Sequence, residues 1–344
     1  PEEYKSCYIY KGKEVAIARK AALTELMSTI CDEVYSLTPV INNEAMNRNE
    51  ITATANNSRN KIVAALLRNE LEPNLGLTGS GQEVSIMRST LIRTGIWEEN
   101  EGLPKLNLKP TAVEHIDELL AVIEDFIVET RQNGAKSFDE LYFRLTSAEG
   151  KIGLRKGLIP IYLAAVMHEY KREVIISDQF GQVALSAETL LQINSKPDMF
   201  TLAYLDWDSE KESFVNRLAE NFAEYIVDAE RGANSYDYVV SAMRRWYMAL
   251  PKYAKESKKG VGGKKLPKAY QDLLKLLKQN ISGNELLFEK LPKLFSMTEF
   301  QETLSDNVGA VKKYYDDYLK NVKKCLVKET KEVFMLPQNR DNVN

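Results

Sequence analysis

The hydrophobic pattern is sharpest over residues 137–185. Phe138, Leu141, Tyr142 and Leu145 recur at helical spacing, which predicts a short helix with one apolar face. Ser137 precedes that run and Glu140 follows three residues later, a capping-box pattern. A second helix is predicted from near Leu154. Leu158, Ile159, Ile161, Tyr162, Leu163, Ala165, Val166 and Met167 cover most of its circumference. A helix apolar nearly all round is buried on more than one side. Pro160, one turn in, either kinks it or marks its true start. Residues 173–177 and 182–185 then read as a β-hairpin, joined by Asp178, Gln179, Phe180 and Gly181. Helix, turn, apolar helix and hairpin is the order of a winged-helix core. The expected fold is mainly α with a small β component, its helical domains set around this winged-helix-like unit.

The flanks follow the same logic. Residues 6–17 predict a small hairpin turning at Lys11-Gly12-Lys13. A helix is expected over 18–35, with Leu23, Leu26, Met27, Ile30 and Val34 on one face, closed by Pro39. The Asn-rich segment 41–49 reads as a polar loop or a contact loop to another part of a longer protein. Asn57 or Ser58 caps a helix running to Leu71, and another spans 82–94, ended by Gly95. Trp97 opens an acidic, Pro-containing linker through Pro110, and an amphipathic helix covers 112–131. Beyond the hairpin come a short helix over 187–193, a strand over 199–205, and helices over 208–229, 236–250, 270–277, 285–291 and 300–334. The expected organisation is a hairpin plus helical region (1–97), a linker (98–110), a winged-helix-like domain (111–206), a C-terminal helical region (207–336) and a polar tail (337–344).

Composition narrows the function classes. The 344 residues are enough for two or three domains. A net charge of −3 gives no global pull toward nucleic acid, so contact with DNA would need a local basic patch. Cys7, Cys31 and Cys325 are far apart and form no CxxC pair, which points to a reducing, cytoplasmic setting. Two histidines, His115 and His168, leave little scope for a His-based metal site. No apolar run approaches transmembrane length, so no membrane partner is expected. A start at Pro1 and a polar end read as a piece of a longer polypeptide.

Three features invite a chemical reading. The Gly-rich stretch 76–81 suggests a phosphate-binding loop, but Gln82 and Glu83 stand where Lys and Ser or Thr are required, and no strand precedes it. Nucleotide binding is therefore not expected there. Lys252, Lys255, Lys258, Lys259, Lys264, Lys265 and Lys268, with Trp246, Tyr247 and Tyr253 nearby, have the ingredients of a phosphate-tracking patch. Arg155 and Lys156 at the start of the apolar helix are further candidate nucleic-acid contacts; the helix also has His168 and Lys171 at its end, but its middle has almost nothing polar to offer a base edge. Asp206 and Asp208, and Asp316 with Asp317, point in different directions and suggest no metal pair. No nucleophile has a recognisable base partner. Catalytic, cofactor-binding and metal-binding residues are all expected to be none.

Several phrases together resemble a known family: CDEVYSLTPVINNEAMNR over 31–48, LYFRL with GLRKGLIPIYLAAV within 141–166, RRWYMALPKYAK over 244–255 and ELLFEKLPKLF over 285–295. They are similar to a region downstream of the ATPase core in large bacterial phage-defence P-loop ATPases of the BREX and phage-growth-limitation type. The resemblance runs through most of the chain in the same order, and its phrases are structural, not catalytic. It implies a parent ATPase that uses ATP and Mg²⁺ outside this stretch, oligomerises, and acts with other defence subunits on foreign DNA. The expected role is a non-catalytic region that docks partners or duplex DNA and relays ATPase state. The alternative is a winged-helix DNA-binding regulator that dimerises through its C-terminal helices.

Overall fold

Burial by two separate sets of helices organises the chain. The computed structural model describes residues 7–48, 50–228, 230, 236–263, 265–297 and 302–335. Lys264, the start of the last predicted helix at Phe300, and the 337–344 tail lie outside them. The backbone divides into two compact units: residues 1–66, 71–169 and 190–202 in the first, and 67–70, 170–189 and 203–344 in the second. The fold is mainly helical with small sheets.

The first unit opens with the hairpin of β1 (Tyr8–Tyr10) and β2 (Lys13–Val15), in the register Tyr8↔Val15. Gly12, at φ 73°, supplies its turn. Helix α1 (Lys20–Val34) follows and buries none of its residues. Helix α2 (Ala53–Leu66) starts before the expected cap: Thr52 Oγ1 accepts from the Ala55 N–H at 3.3 Å. Helix α3 (Gln82–Met87) runs into a π-helical turn at Arg88–Ile92, and Gly95 ends it at φ 77°. Residues 97–106, read from sequence as a linker, instead carry the hairpin of β3 (Trp97–Asn100) and β4 (Leu103–Leu106). Its turn, Glu101-Gly102, has both residues at positive φ, which the acidic composition concealed.

Helices α4 (Ile116–Asn133) and α5 (Phe138–Thr146) match two of the predicted helices, and between them lies a short strand that was not expected, β5 (Lys136–Ser137). Ser137 caps α5, but its hydroxyl accepts from the Asp139 N–H at 3.3 Å, and Glu140 turns to Lys136 at 3.5 Å instead of closing a capping box. The apolar helix is α6 (Ile159–Glu169). Pro160 marks its true start: residues 156–158 form a turn, and Pro sits where a missing N–H costs nothing. Every residue from Ile159 to His168 is buried. Burying each large apolar side chain of this kind contributes roughly 1.5–3 kcal/mol.

The hairpin of β6 (Val174–Asp178) and β7 (Gly181–Val183) belongs to the second unit, while α4, α5 and α6 belong to the first. Asp178 Oδ1 accepts from the N–H groups of Phe180 and Gly181 at 2.7 and 3.1 Å, tightening the turn to two residues. Helix α7 (Ala187–Ser195) and strand β8 (Thr201–Tyr204) each include residues of both units.

The rest of the second unit is helical: α8 (Ser209–Asn221), α9 (Asp237–Ala249), α10 (Lys252–Glu256), α11 (Lys268–Lys278), α12 (Leu291–Leu294), α13 (Glu302–Asp316) and α14 (Tyr318–Val333). Phe214, Phe222, Tyr236, Trp246, Leu273, Leu286, Val308 and Tyr315 form its core. Trp246 Nε1 donates to Asp316 Oδ1 at 2.7 Å, and Lys312 Nζ meets the other oxygen of Asp316 at 2.7 Å. Trp246 is therefore a core residue, not a stacking platform. The last predicted helix is two helices, broken at Asp317.

Candidate functional site

Two cationic regions stand out, one in each unit. In the second unit, Lys252, Lys258, Lys259, Lys265 and Lys268 are exposed. Lys255 is held: its ammonium donates to Met248 O at 2.9 Å and lies 4.9 Å from the centre of the Tyr247 ring. The segment is not the loop the composition suggested, because α10 occupies its first five residues. It is then tied to α14. Tyr318 OH donates to Ser257 Oγ at 2.9 Å, the Tyr318 and Tyr253 rings lie 6.1 Å apart, and a Cβ on Gly262 would sit 3.3 Å from Cys325 Sγ. Helix α14 carries exposed Lys320, Lys323, Lys324 and Lys328. The packing thus joins two lysine sets that lie more than fifty residues apart in the chain. Tyr253 is 44% exposed beside them.

In the first unit, a cleft of about 1420 Å³ is lined by the 31–59 segment, the 153–158 turn and the end of α7. Arg155 and Lys156 lie there, not on a groove-reading helix surface. Leu37 N–H donates to Lys151 O at 3.0 Å and Thr38 Oγ1 donates to Ile152 O at 2.5 Å. The Asn-rich segment is therefore a contact loop within this chain: Asn43 Nδ2 donates to Ser89 Oγ at 2.8 Å and Asn47 Nδ2 to Ile41 O at 2.7 Å.

The sequence reading missed Arg59, which also lines this cleft. Arg59 is 3% exposed, its Nη1 donates to Gly157 O at 3.2 Å, and its Nε has no partner among the described residues. No carboxylate among the described residues pairs with it, and burial pulls the guanidinium below the usual arginine range. A signal was present: Ala55, Arg59, Ile62 and Leu66 share the buried stripe of α2, so Arg59 is a charge at a core position.

The other sequence candidates resolve into structural roles. His168 is buried, with Nδ1 2.6 Å from Leu66 O, and Lys171 Nζ donates to Asn69 O at 2.6 Å. Glu83 sits in the first turn of α3, where its carboxylate bonds its own backbone N–H, Lys61 and Ser58; these bonds, the backbone one largest, hold it below the usual carboxylate range. A carboxylate of this chain thus occupies the helix end where a phosphate would go in a phosphate-binding loop. Asp208 caps α8. No group of three or more His, Cys, Asp or Glu residues suited to a metal ion occurs among the described residues. None of their helices is long and apolar enough to cross a membrane.

No family model, curated protein or solved structure matches this chain.

Proposed function

We propose that this chain is a non-catalytic helical region of a large phage-defence ATPase that docks on duplex DNA and relays ATPase state. The ATPase parentage and the other defence subunits as partners rest on the resemblance of its sequence phrases, and the cytoplasmic setting on its three scattered cysteines. The DNA-docking reading is supported by one observation: the segment that carries exposed Lys258, Lys259 and Lys265 packs on α14, which carries exposed Lys320, Lys323, Lys324 and Lys328, through Tyr318–Ser257 and Gly262–Cys325. Such a concentration of lysines attracts a phosphate backbone through counterion release, without sequence preference. Base reading by α6 is disfavoured, because Ile159 to His168 are buried and offer no side chain to a major groove.

The test is duplex-DNA binding by the whole chain, titrated against salt. Binding is expected to weaken with a log–log slope of about −0.9 for each phosphate contacted. Changing Lys258, Lys259, Lys264 and Lys265 to Glu is expected to abolish it. Unchanged affinity in that variant, or strong preference for one sequence at high salt, overturns the reading.

A further inference from the structure

The cleft of the first unit poses a charge problem that the DNA-docking reading leaves unsolved. Arg59 is a buried guanidinium whose charge no carboxylate among the described residues balances. An unpaired buried charge is among the costliest arrangements in a fold, and proteins normally balance it with a counter-charge. The residues around it add positive charge. Arg48, Arg155 and Lys156 line the same cleft, and Asp32 is the only acidic residue lining it among the described residues. Arg48 meets Glu44 at 2.9 Å, and Arg155 and Lys156 directly precede Gly157, whose carbonyl Arg59 grips. Helix α6 begins two residues beyond Gly157, so the positive end of its dipole falls beside the same turn. The turn is fixed in place: a Cβ on Gly157 would lie 2.3 Å from Ile51 Cδ1 and 2.5 Å from Met46 O. Asn42, Asn47, Asn56 and Asn194 line the cleft as well, the last three partly engaged within the chain at Ile41 O, Ile51 O and the Tyr142 hydroxyl.

We propose that this cleft binds a phosphate monoester, with Arg59, Arg155 and Lys156 taking its charge at the turn that enters α6. A dianion needs more than one cation, and guanidinium suits phosphate oxygens through paired N–H donors. Two sources share this chemistry, a free nucleotide and the 5′ end of a DNA strand. The site is independent of the lysine face in the second unit.

The experiment is calorimetric titration of the whole chain, in the background of the four lysine-to-glutamate changes, so that the second unit contributes no phosphate binding. The probes are inorganic phosphate, adenosine monophosphate, and a short oligonucleotide with a 5′-phosphate or a 5′-hydroxyl. Inorganic phosphate is expected to bind, and Arg59→Met to weaken it about tenfold or more, as loss of a charged hydrogen-bond donor does. In phosphate-free buffer Arg59→Met is expected to melt no lower than its parent, because the change removes a buried charge and keeps the volume. If that variant does not fold, the exposed pair Arg155→Gln and Lys156→Gln gives the same readout. Tighter binding of the monophosphate than of either oligonucleotide supports a free nucleotide; tighter binding of the 5′-phosphorylated strand supports a strand end. No phosphate heat from the parent, or equal heats from parent and variants, overturns the site.

Discussion

A Cβ placed on Gly153 would lie 2.5 Å from Cδ1 of Tyr35. The two residues belong to the two most distinctive sequence phrases of the first unit, and this contact is one of the places where those phrases meet. Gly153 also has φ +59°, a conformation that disfavours a side chain. Gly153→Ala therefore combines overpacking with backbone strain and is expected to cost about 2–4 kcal/mol. Gly79→Ala is the control: its φ is +80° with nothing within 4 Å of the new Cβ, so only the backbone cost of about 1 kcal/mol applies. Urea unfolding of the two variants compares the terms directly.

Glu129 faces Arg144 through two hydrogen bonds of 3.0 and 2.8 Å, and Lys136 at 2.6 Å. The Arg144 bonds, then the Lys136 bond, lower its carboxyl from the ordinary 4.5 to about 2. A depressed folded-state pKa stabilises the protein above the unfolded value and loses that contribution as pH falls toward the folded one. Stability is thus expected to fall between about 4.5 and about 2 on account of this group. Glu129→Gln should flatten that part of the curve of melting temperature against pH. The effect is modest, because Glu129 and Arg144 are each about a third exposed and partly screened.

Tyr162 and Tyr142 make a matched pair. Both are buried, but the Tyr142 hydroxyl donates to Asn194 Oδ1 at 3.0 Å, whereas the Tyr162 hydroxyl has no partner among the described residues. An unsatisfied buried hydroxyl costs stability and a satisfied one adds about 1 kcal/mol. Tyr162→Phe is expected to be neutral or stabilising, and Tyr142→Phe destabilising by about 1 kcal/mol. Chemical denaturation of both checks the opposite signs.

Asp208 holds the first turn of α8, accepting from the Lys211 N–H at 2.8 Å and the Lys211 ammonium at 2.6 Å. Asp208→Ala is expected to cost about 1 kcal/mol, while Asp208→Asn keeps the cap and loses less. Thermal melts of the two variants separate cap from charge.

Periodicity carried most of the helices. The stripe of Leu119, Leu120, Ile123, Phe126 and Ile127 predicted α4, and every one of those residues is buried. The hairpin turning at Gly12 was equally legible. The β3–β4 hairpin, although it too turns at a glycine, was not, because its strand residues mix charge and Pro with few β-formers. Burial against other elements was illegible in α1, whose face reads as apolar as that of α4 yet buries nothing. At the candidate sites, the 252–268 lysines could be read directly. Their union with α14 could not, since it depends on a packing contact at Gly262 across a long stretch of chain. Arg59 was visible only as a charge on an apolar stripe, a sign that acquires meaning once its neighbours are known.

Helix α1 has a further consequence. A fifteen-residue helix is near the length at which an isolated helix is marginal in water, and α1 gains no fully buried residue to offset the loss of chain entropy. Its ties to the preceding hairpin are surface contacts, such as that between Lys11 and Glu33 at 2.6 Å. Its amide protons should therefore exchange with solvent through cheap local opening, while those of α6 wait for unfolding of their whole unit. The first cut by a protease in native buffer should fall in α1, leaving the packed remainder of the unit intact.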